Sequence, residues 1–507
     1  MPINRRQLLT RAAALPAAAS LSDAQPCEPC VARFPPEPRS PLRKLRVKPV
    51  MTNMIHSDVW EGPCRFNVVT VAKETENVKA QYARWEAEVK GGKHSFGPAA
   101  EVLPPQLVLF DEAFVLPPAQ MLPLDQESAV DVFYVSPSGA SFAAAEIARR
   151  YRKPVILRGL NCRTVDVAAY ARSRGDEVLV AADNAELQRT VSLLQARTAY
   201  RETRVLFPTN RGFPSVASLT GVTDLRGLEE RFGVSVIMIG LKALSEEMER
   251  TLSDSQRAAK AEQEAEALLR GAAQSYIDRQ YVVRSLLFKQ AVESLMMATA
   301  CNAFTIECFE FCATRLPEKW KIAPCLIHTL FKDAGYASSC EGDMGALLAT
   351  RLLLSVSGKS SHMGNMFQGP DNTVRINHSA PGLRMNGFNQ PRLAYKLGRF
   401  VQSGWGTKAV VDFMSNGERA VTVARLHPSA EKLLVMRGTL TGSAGWEGDN
   451  LGCSVEAIIK PAESGRGDLF IRRQTEYGNH LSWVYGDYAS QLEELGRLLG
   501  IEGEVIA

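Results

Sequence analysis

Short apolar runs alternate with helical patterns through the first part of the chain. Apolar residues recur at helical spacing over residues 141–151, 165–174 and 185–196. Around and between them lie strand-length apolar runs, at residues 66–72, 107–110, 130–135, 154–157, 177–181 and 204–207. Continuous apolar strands that alternate with helices are typical of a parallel sheet covered by helices. The pattern predicts a Rossmann-like α/β domain over residues 61–214.

A second unit of the same kind is predicted over residues 215–365. It contains a short helix at 224–232, a strongly apolar strand at 234–239 and two long helical stretches at 255–269 and 276–299. A further strand is expected to end at Glu307. Ligands of open α/β sheets commonly bind outside the carboxyl ends of such strands.

The last third of the chain changes to a strand pattern. Strand-like runs occur at residues 373–378, 409–414, 421–426, 432–442 and 454–460, and Asn416-Gly417 is a hairpin signal between two of them. A final helix is predicted at 489–499. The expected fold class is therefore α/β, with two Rossmann-like α/β domains followed by an antiparallel, β-barrel-like domain over residues 366–507.

Polar side chains interrupt the apolar runs between residues 302 and 369. Glu307 follows a predicted strand, Glu341 and Asp343 precede an apolar helix, and His362 and Asn365 follow a turn. Buried carboxylates are rare unless they are paired or bind a metal. Oxygen ligands with one imidazole suit Mn²⁺, Mg²⁺ or a similar ion. The stretch indicates a metal site, although Asp343 alone is equally explained as a helix N-cap.

The sequence CEGDMGALLATRLLLSVSG at residues 340–358 carries a family resemblance. Together with the upstream Glu307 and the later Gly478-Asn479-His480, it resembles the L-fucose isomerase and L-arabinose isomerase superfamily. The resemblance implies that Glu307, Asp343 and His480 hold a divalent cation, usually Mn²⁺, or another divalent ion. Glu341 is then expected to orient one of these ligands.

A second element resembles only the arabinose isomerase branch. Ser361-His362-Met363 is similar to a His-Met element whose histidine is an additional ligand there. We therefore predict that His362 and Asn365 contact substrate or metal. His328 receives no role, since a lone histidine on an apolar helix face is usually a hydrogen-bonded core residue. His378, on a predicted strand, is left unassigned between the two readings.

The resemblance implies an activity. It predicts an aldose–ketose isomerase acting on L-fucose, L-arabinose or a related monosaccharide, with Glu307 and Asp343 exchanging protons between C1 and C2. Which acid is the base, and whether a hydride shift replaces proton transfer, stays open. So does an exported, non-catalytic sugar-binding protein on the same fold. Family members form hexamers, which predicts a homo-oligomer.

The N-terminus is similar to an export signal. Asn4-Arg5-Arg6-Gln7-Leu8-Leu9 is a twin-arginine pattern followed by an alanine-rich segment, which predicts a Tat-type signal at residues 1–24 and a periplasmic protein. The alternative is a flexible N-terminal segment that carries no targeting signal, on a cytoplasmic protein. Residues 25–60 are rich in proline and arginine and are predicted to form a linker. Cys27 and Cys30 have no second pair nearby, so they do not indicate zinc.

Composition narrows the classes of partner. The 507 residues carry a net charge of only +4 and no basic patch interleaved with aromatic residues, which argues against nucleic acid. No apolar run reaches the ~18 residues of a membrane span. No G-x-G-x-x-G follows a strand, so no nucleotide cofactor is indicated. Five of ten cysteines gather around the proposed site, and most of them are predicted to be small core residues; the five are Cys301, Cys308, Cys312, Cys325 and Cys340.

Overall fold

The computed structural model describes residues 42–57, 70–127, 129–137, 142–222, 224–463 and 466–506. The predicted signal at 1–24 and the Cys27/Cys30 pair lie outside these residues. None of the described helices is both long and apolar enough to cross a bilayer.

The first sheet has six parallel strands in the order β2–β1–β4–β5–β6, with β3 also paired to β1. Helices connect the strands, as the apolar pattern predicts. The elements are β1 (Leu45–Met54), α1 (Val71–Lys90), β2 (Ala100–Val102), β3 (Gln106–Phe110), α2 (Pro118–Gln126), β4 (Val132–Pro137), α3 (Phe142–Tyr151), β5 (Val155–Arg158), α4 (Cys162–Ser173), β6 (Val178–Ala181) and α5 (Asn184–Arg201).

Strand β1 corrects the predicted linker at residues 25–60. It is an interior strand of the first sheet, paired with β2, β3 and β4, and Leu45, Val47 and Val50 are fully buried. Lys48 and Pro49 interrupt its apolar residues, so the sequence does not show an apolar run of strand length here. The charge of Lys48 is neutralised where it is buried, because its Nζ lies 2.6 Å from a carboxylate oxygen of Glu127.

The strand predicted at 66–72 is also wrong where the structure describes it. Helix α1 begins at Val71, and the side chain of Thr70 caps it by accepting a hydrogen bond from the backbone N–H of Lys73. Residues 66–69 lie outside the described chain. An apolar run this short is compatible with either element, and the cap at Thr70 decides for a helix.

The second sheet contains four parallel strands in the order β11–β10–β7–β8. Strands β10 and β11 end side by side, with Ile306 paired to Cys340. The elements are β7 (Arg204–Pro208), α6 (Leu225–Phe232), β8 (Ser235–Ile239), α7 (Leu241–Ser253), α8 (Ser255–Gly271), β9 (Gln274–Ser275), α9 (Arg279–Ala298), β10 (Ala303–Ile306), α10 (Cys308–Ala313), α11 (Leu316–Trp320), α12 (Cys325–Asp333), β11 (Ala337–Cys340) and α13 (Met344–Ser357).

The C-terminal region is a closed antiparallel barrel, as the strand pattern predicts. Six strands run in the order β16–β19–β12–β13–β18–β17, and β17 pairs back to β16. Strand β20 adds to β17, and β14, β15 and β9 form a separate small sheet. The elements are β12 (His362–Gln368), β13 (Val374–His378), β14 (Tyr395–Arg399), β15 (Thr407–Val411), β16 (Ala420–Leu426), β17 (Lys432–Ala444), β18 (Val455–Pro461), α14 (Arg466–Tyr477), β19 (Leu481–Tyr485), α15 (Ala489–Leu499) and β20 (Glu502–Ile506).

Helix α13 joins the second sheet to the barrel. It follows β11, is buried from Met344 to Leu354, and packs against β11 on one side and β16 and β19 on the other. A helix that is apolar all round is expected to lie inside the molecule. Its N-terminus therefore brings the carboxyl edge of the second sheet to one end of the barrel.

Candidate active site

Two acids lie at the carboxyl edge of the second sheet. Glu307 directly follows β10 and Glu341 directly follows β11, and the residues before them, Ile306 and Cys340, are paired in register. Both carboxylates are buried, with 2% and 8% of the residue exposed. Adjacent parallel strands thus deliver two acids to the place where ligands of such sheets bind.

Two histidines from the barrel meet one of these acids. The Nε2 atom of His378 lies 3.2 Å from Oε1 of Glu341, and the Nε2 atom of His480 lies 3.1 Å from Oε2. His378 ends β13 and His480 immediately precedes β19. The potential ligand atoms of these three residues all lie within 4.8 Å of one another. We call Glu341, His378 and His480 the metal trio.

The metal trio is held together by opposite charges in a buried setting. Burial alone would raise the pKa of Glu341, but hydrogen bonds and charges from His378 and His480 outweigh it and lower the pKa to about 2. Burial lowers the pKa of His378, yet Cys453 and Glu341 together raise it to about 10. The pKa of His480 is likewise raised, because Asp343 and Glu341 outweigh the effect of burial.

Two members of the trio have unusual backbone conformations. Glu341 has φ 62° and His480 has φ 64°, both in the left-handed region. Such conformations are uncommon outside glycine and cluster at functional sites. Next to His480, Gly478 has φ +89°, and a Cβ there would lie 2.0 Å from Oγ1 of Thr220. The backbone around the trio is therefore held in place by its surroundings.

Asp343 lies behind the trio. Its Oδ1 accepts hydrogen bonds from the backbone N–H of Ala346, at 2.8 Å, and from Arg425, also at 2.8 Å. Its Oδ2 lies 2.5 Å from the hydroxyl of Ser218 and 3.0 Å from Nδ1 of His480. Although burial raises the pKa of Asp343, the charges of Arg425 and His480 hold it well below its usual range. Both oxygens are thus committed to protein partners.

The positions of Glu341 and Asp343 relative to the trio are the reverse of those predicted from the sequence. Asp343 was predicted to face the cation and Glu341 to support it; in the structure Glu341 belongs to the metal trio and Asp343 contacts the far nitrogen of His480. A carboxylate in that position fixes the tautomer and ring orientation of a ligating histidine. The ligand role of Asp343 stays a prediction, and this geometry does not favour it.

Glu307 has an environment opposite to that of Glu341. Its carboxylate accepts hydrogen bonds from the backbone N–H groups of Phe309, at 3.3 Å, and Glu310. Burial raises the pKa of Glu307, and the negative charge of Glu341 raises it further. The pKa values of two nearby acids are thus pushed apart, which is the usual arrangement of an ionised residue and a proton carrier.

The predicted contacts His362 and Asn365 lie beside the trio and not in it. The ring of His362 packs in the barrel interior 5.0 Å from the ring of Phe413, and burial lowers its pKa well below the ordinary value. The side-chain N–H of Asn479 donates to the Oδ1 of Asn365 at 2.5 Å. Asn365 thereby supports the turn that carries His480.

A cavity of ≈ 330 Å³ opens onto the trio through Glu341 and His378. Its walls are largely apolar and include the aromatic rings of Phe309, Phe400 and Trp405. No lysine or arginine of the described chain lines it, and Glu307 itself does not. Five cysteines do line it, namely Cys308, Cys312, Cys325, Cys340 and Cys453.

Sequence reasoning missed His378 and Cys453. His378 lies 37 positions from Glu341 in the chain, on a strand whose alternation explains a histidine without any ligand. Its Nδ1 lies 3.8 Å from the thiol of Cys453, which follows a loop of polar and glycine residues. Neither residue belongs to a compact sequence motif. Their place at the site becomes visible only in the folded barrel, which brings them next to Glu341.

Part of the chain is similar to proteins of known function. No family model matches the chain. Over 189 residues, 36% of this chain, it is 28% identical to the sulfoquinovose isomerase of Priestia aryabhattai and to that of Priestia megaterium (strain ATCC 12872 / QMB1551). The similarity is to sugar isomerases. The aligned region spans 40% of the length of each relative. The resemblance to the fucose and arabinose isomerases stays a prediction.

Proposed function

We propose that this protein is an aldose–ketose isomerase that depends on a divalent cation. The observation that carries the proposal is the metal trio, placed at the carboxyl edge of a parallel sheet beside an acid of raised pKa. The similarity to two sugar isomerases supports the same class of reaction. A protein that only bound sugar would need no such set of side chains.

The trio has suitable chemistry for the cation. It supplies one carboxylate and two imidazoles, a mixed oxygen and nitrogen set that suits Mn²⁺ and its first-row divalent neighbours. Nε2 of His480 is buried, and it lies with the ligand atoms of Glu341 and His378 around one point. Glu341, His378 and His480 would hold the ion, which when bound polarises the sugar oxygens next to the carbon that loses its proton.

Glu307 is the proton carrier in this proposal. Its raised pKa suits a group that must alternately take and give a proton near neutral pH. Glu341, whose pKa is about 2, stays ionised and serves only as a ligand. Asp343 is sealed behind His480 and positions it. Glu307 thus moves the proton between C2 and C1, while the proton that leaves the C2 hydroxyl passes to solvent and O1 takes one from solvent.

The cavity favours a sugar without a negative charge. A sulfonated sugar, such as the relatives' names indicate, would enter a space whose described lining residues include no lysine or arginine. Apolar and aromatic walls instead suit the C–H faces of a sugar and a terminal methyl group. We propose a 6-deoxyaldose such as L-fucose as the preferred class, ahead of L-arabinose.

The test begins with chelator-stripped protein to which Mn²⁺ is added back. Turnover is followed by NMR, as solvent deuterium enters the sugar, with L-fucose, L-arabinose and sulfoquinovose. We expect Mn²⁺-dependent turnover of L-fucose, its loss together with metal binding in His378→Ala, and a 10²–10⁴-fold lower rate with metal retained in Glu307→Gln.

Two outcomes would contradict the proposal. Absence of stoichiometric metal in the wild-type protein would remove the cation from the mechanism. Full activity of Glu307→Gln would remove the proton carrier. Glu310→Gln is the matched control, since Glu310 lies on α10, the helix that Glu307 caps, and its carboxylate instead accepts a hydrogen bond from the hydroxyl of Thr209, at 2.7 Å.

A further inference from the structure

Cysteines approach the metal trio from the side of the cavity. The thiols of Cys308 and Cys340 and the carboxylate of Glu341 have ligand atoms within 4.8 Å of one another. Both cysteines are free thiols, Cys340 is buried and Cys308 is half-buried. Glu341 thus belongs to two groups of potential ligands, one with two imidazoles and one with two thiols.

The fold builds this second group from adjacent strand ends. Cys340 is the last residue of β11, and Cys308 begins the helix after β10, two residues beyond the partner of Cys340 in the register. Side chains of neighbouring strand residues normally point to opposite faces. Cys340 and Glu341 nevertheless line the same cavity, because Glu341 and Gly342 have left-handed φ values of 62° and 66°.

The turn at residues 341–342 requires glycine at position 342. A Cβ on it would lie 3.1 Å from the ring of Phe207 and 3.2 Å from the side chain of Ser215. A larger residue would therefore push against packed neighbours in addition to straining the backbone. The turn that brings thiol and carboxylate together is a fixed feature of this chain.

Core packing explains only part of the arrangement. Cys340 does pack in a small apolar cluster with Ala346 and Met363, and Cys308 contacts it. The carboxylate of Glu341 beside these thiols gains nothing from apolar neighbours. Two thiols and a carboxylate within reach of one point are, by contrast, the donors that a thiophilic divalent cation requires.

We propose that Cys308, Cys340 and Glu341 form a second cation site, selective for Zn²⁺ and similar thiophilic ions, that shares Glu341 with the metal trio. Two thiolates and one carboxylate leave a fourth tetrahedral position open towards the cavity. Sulfur ligands select Zn²⁺ over Mn²⁺. The cation replaces the two thiol protons, which pass to solvent.

Sharing of one carboxylate links the two sites. Glu341 presents Oε1 to His378 and Oε2 to His480. A cation held by the two thiolates draws on the same oxygens. Zn²⁺ therefore weakens the binding of Mn²⁺ at the trio, and the site gives the protein a sensitivity to thiophilic metals that is independent of any sugar chemistry.

Co²⁺ tests the site because its bonds to thiolates produce a charge-transfer absorption that its bonds to nitrogen and oxygen lack. Metal-free, reduced protein is titrated with Co²⁺. We expect a thiolate band that saturates at one equivalent, persists in the His378→Ala/His480→Ala double variant, and disappears in Cys308→Ser and in Cys340→Ser. Cys312→Ser, which alters a thiol of the same cavity outside the group, is expected to keep the band.

A parallel measurement keeps the result independent of folding. Mn²⁺ binding, followed by electron paramagnetic resonance, is expected to survive in Cys308→Ser, which shows that the variant folds and that the trio is intact. Added Zn²⁺ should displace Mn²⁺ from the wild-type protein at a lower concentration than from that variant, in which Zn²⁺ can compete only at the trio itself. Absence of a thiolate band from the wild type, or its persistence in both serine variants, would overturn the proposal.

Discussion

Asp343 shows how one buried side chain serves three purposes. It caps helix α13, neutralises the fully buried Arg425 and holds His480 through Nδ1. A buried charge pair is weak evidence for stability in itself, but removal of one partner leaves the other uncompensated. Asp343 is thus required for the fold and for the direction in which His480 points.

Asp343→Asn tests this reading. The amide keeps the shape of the carboxylate and loses its charge, which leaves Arg425 buried without a counter-charge. We expect a loss of about 3–5 kcal/mol in the free energy of unfolding, measured with denaturant, and Mn²⁺ affinity lowered by about 10–100-fold. Ser218→Ala, which removes only one hydrogen bond to the same carboxylate, should cost less in both measurements. Equal effects of the two changes would contradict the role assigned to the charge.

The choice between Glu341 and Asp343 marks the limit of sequence reasoning at this scale. The two acids are two positions apart at the end of one strand, so either is placed near the edge of the sheet. Which one faces the cavity depends on the left-handed backbone at Glu341 and on the distant Arg425. Residue pattern encodes neither of these.

Among the elements, the turn before β19 carries the most geometric constraint. Gly478 has no room for a side chain, Asn479 bonds to Asn365, and His480 has a left-handed backbone. Together these contacts connect β12 to the start of β19 at the end of the barrel nearest the second sheet. The position of His480 therefore follows from the turn as a whole.

Gly478→Ala is expected to damage the site through this turn. The added Cβ collides with Thr220, and alanine is strained in a left-handed conformation. The conformation alone costs about 1–2 kcal/mol, so the free energy of unfolding should fall by more than that. Gly417→Ala is the matched control, because its φ is +78° and nothing lies within 4 Å of the new Cβ. Thermal unfolding and Mn²⁺ titration of both variants make the comparison. Similar Mn²⁺ affinities in the two would show that the turn does not place His480.

Elements with clear periodicity could be predicted from the sequence, and those with mixed character could not. The barrel strands and the final helix follow from alternation and helical spacing, and the structure confirms them. The hairpin predicted at Asn416-Gly417 is wrong, because the strands on either side of it, β15 and β16, belong to different sheets and do not pair. Strand β1 was missed because Lys48 and Pro49 break its apolar run. Only the contact with Glu127, far along the chain, makes that lysine acceptable inside the sheet.

At the scale of the whole molecule, the site exists only where two parts of the fold meet. Glu307 and Glu341 come from the second sheet, whereas His378 and His480 come from the barrel. Helix α13 fixes the two parts relative to each other through its buried length. Binding of a cation by side chains from both parts should therefore stabilise the folded chain as a unit.

This linkage has a definite dependence on pH. The raised pKa values of His378 and His480 give the metal-free protein stability that is fully present below about pH 6.5 and is lost as the pH rises towards about 10. The lowered pKa of Glu341 gives stability that is present above pH 4.5 and is lost as the pH falls towards about 2. Cation binding needs neutral imidazoles. The affinity for Mn²⁺ should therefore rise over the same pH range, from about 6.5 towards about 10, in which the metal-free protein loses stability.

Thermal unfolding between pH 6 and pH 10 checks the prediction. The melting temperature of metal-free protein is expected to fall across this range, while the increase caused by a fixed Mn²⁺ concentration grows. In the His378→Gln variant the fall should be shallower, because one of the two titrating imidazoles is gone. A metal-free protein whose melting temperature rose over the same range would contradict the charge network described for the trio.

The closed barrel has a consequence for the time over which a bound ion is retained. Strand β13, which ends in His378, lies between β12 and β18, and β19, which His480 precedes, lies between β12 and β16. Each is hydrogen-bonded along both sides, so neither can peel away from an open edge. Local fraying of a strand therefore cannot release the ion. Dissociation has to occur through the mouth of the cavity or after slow unfolding of the barrel.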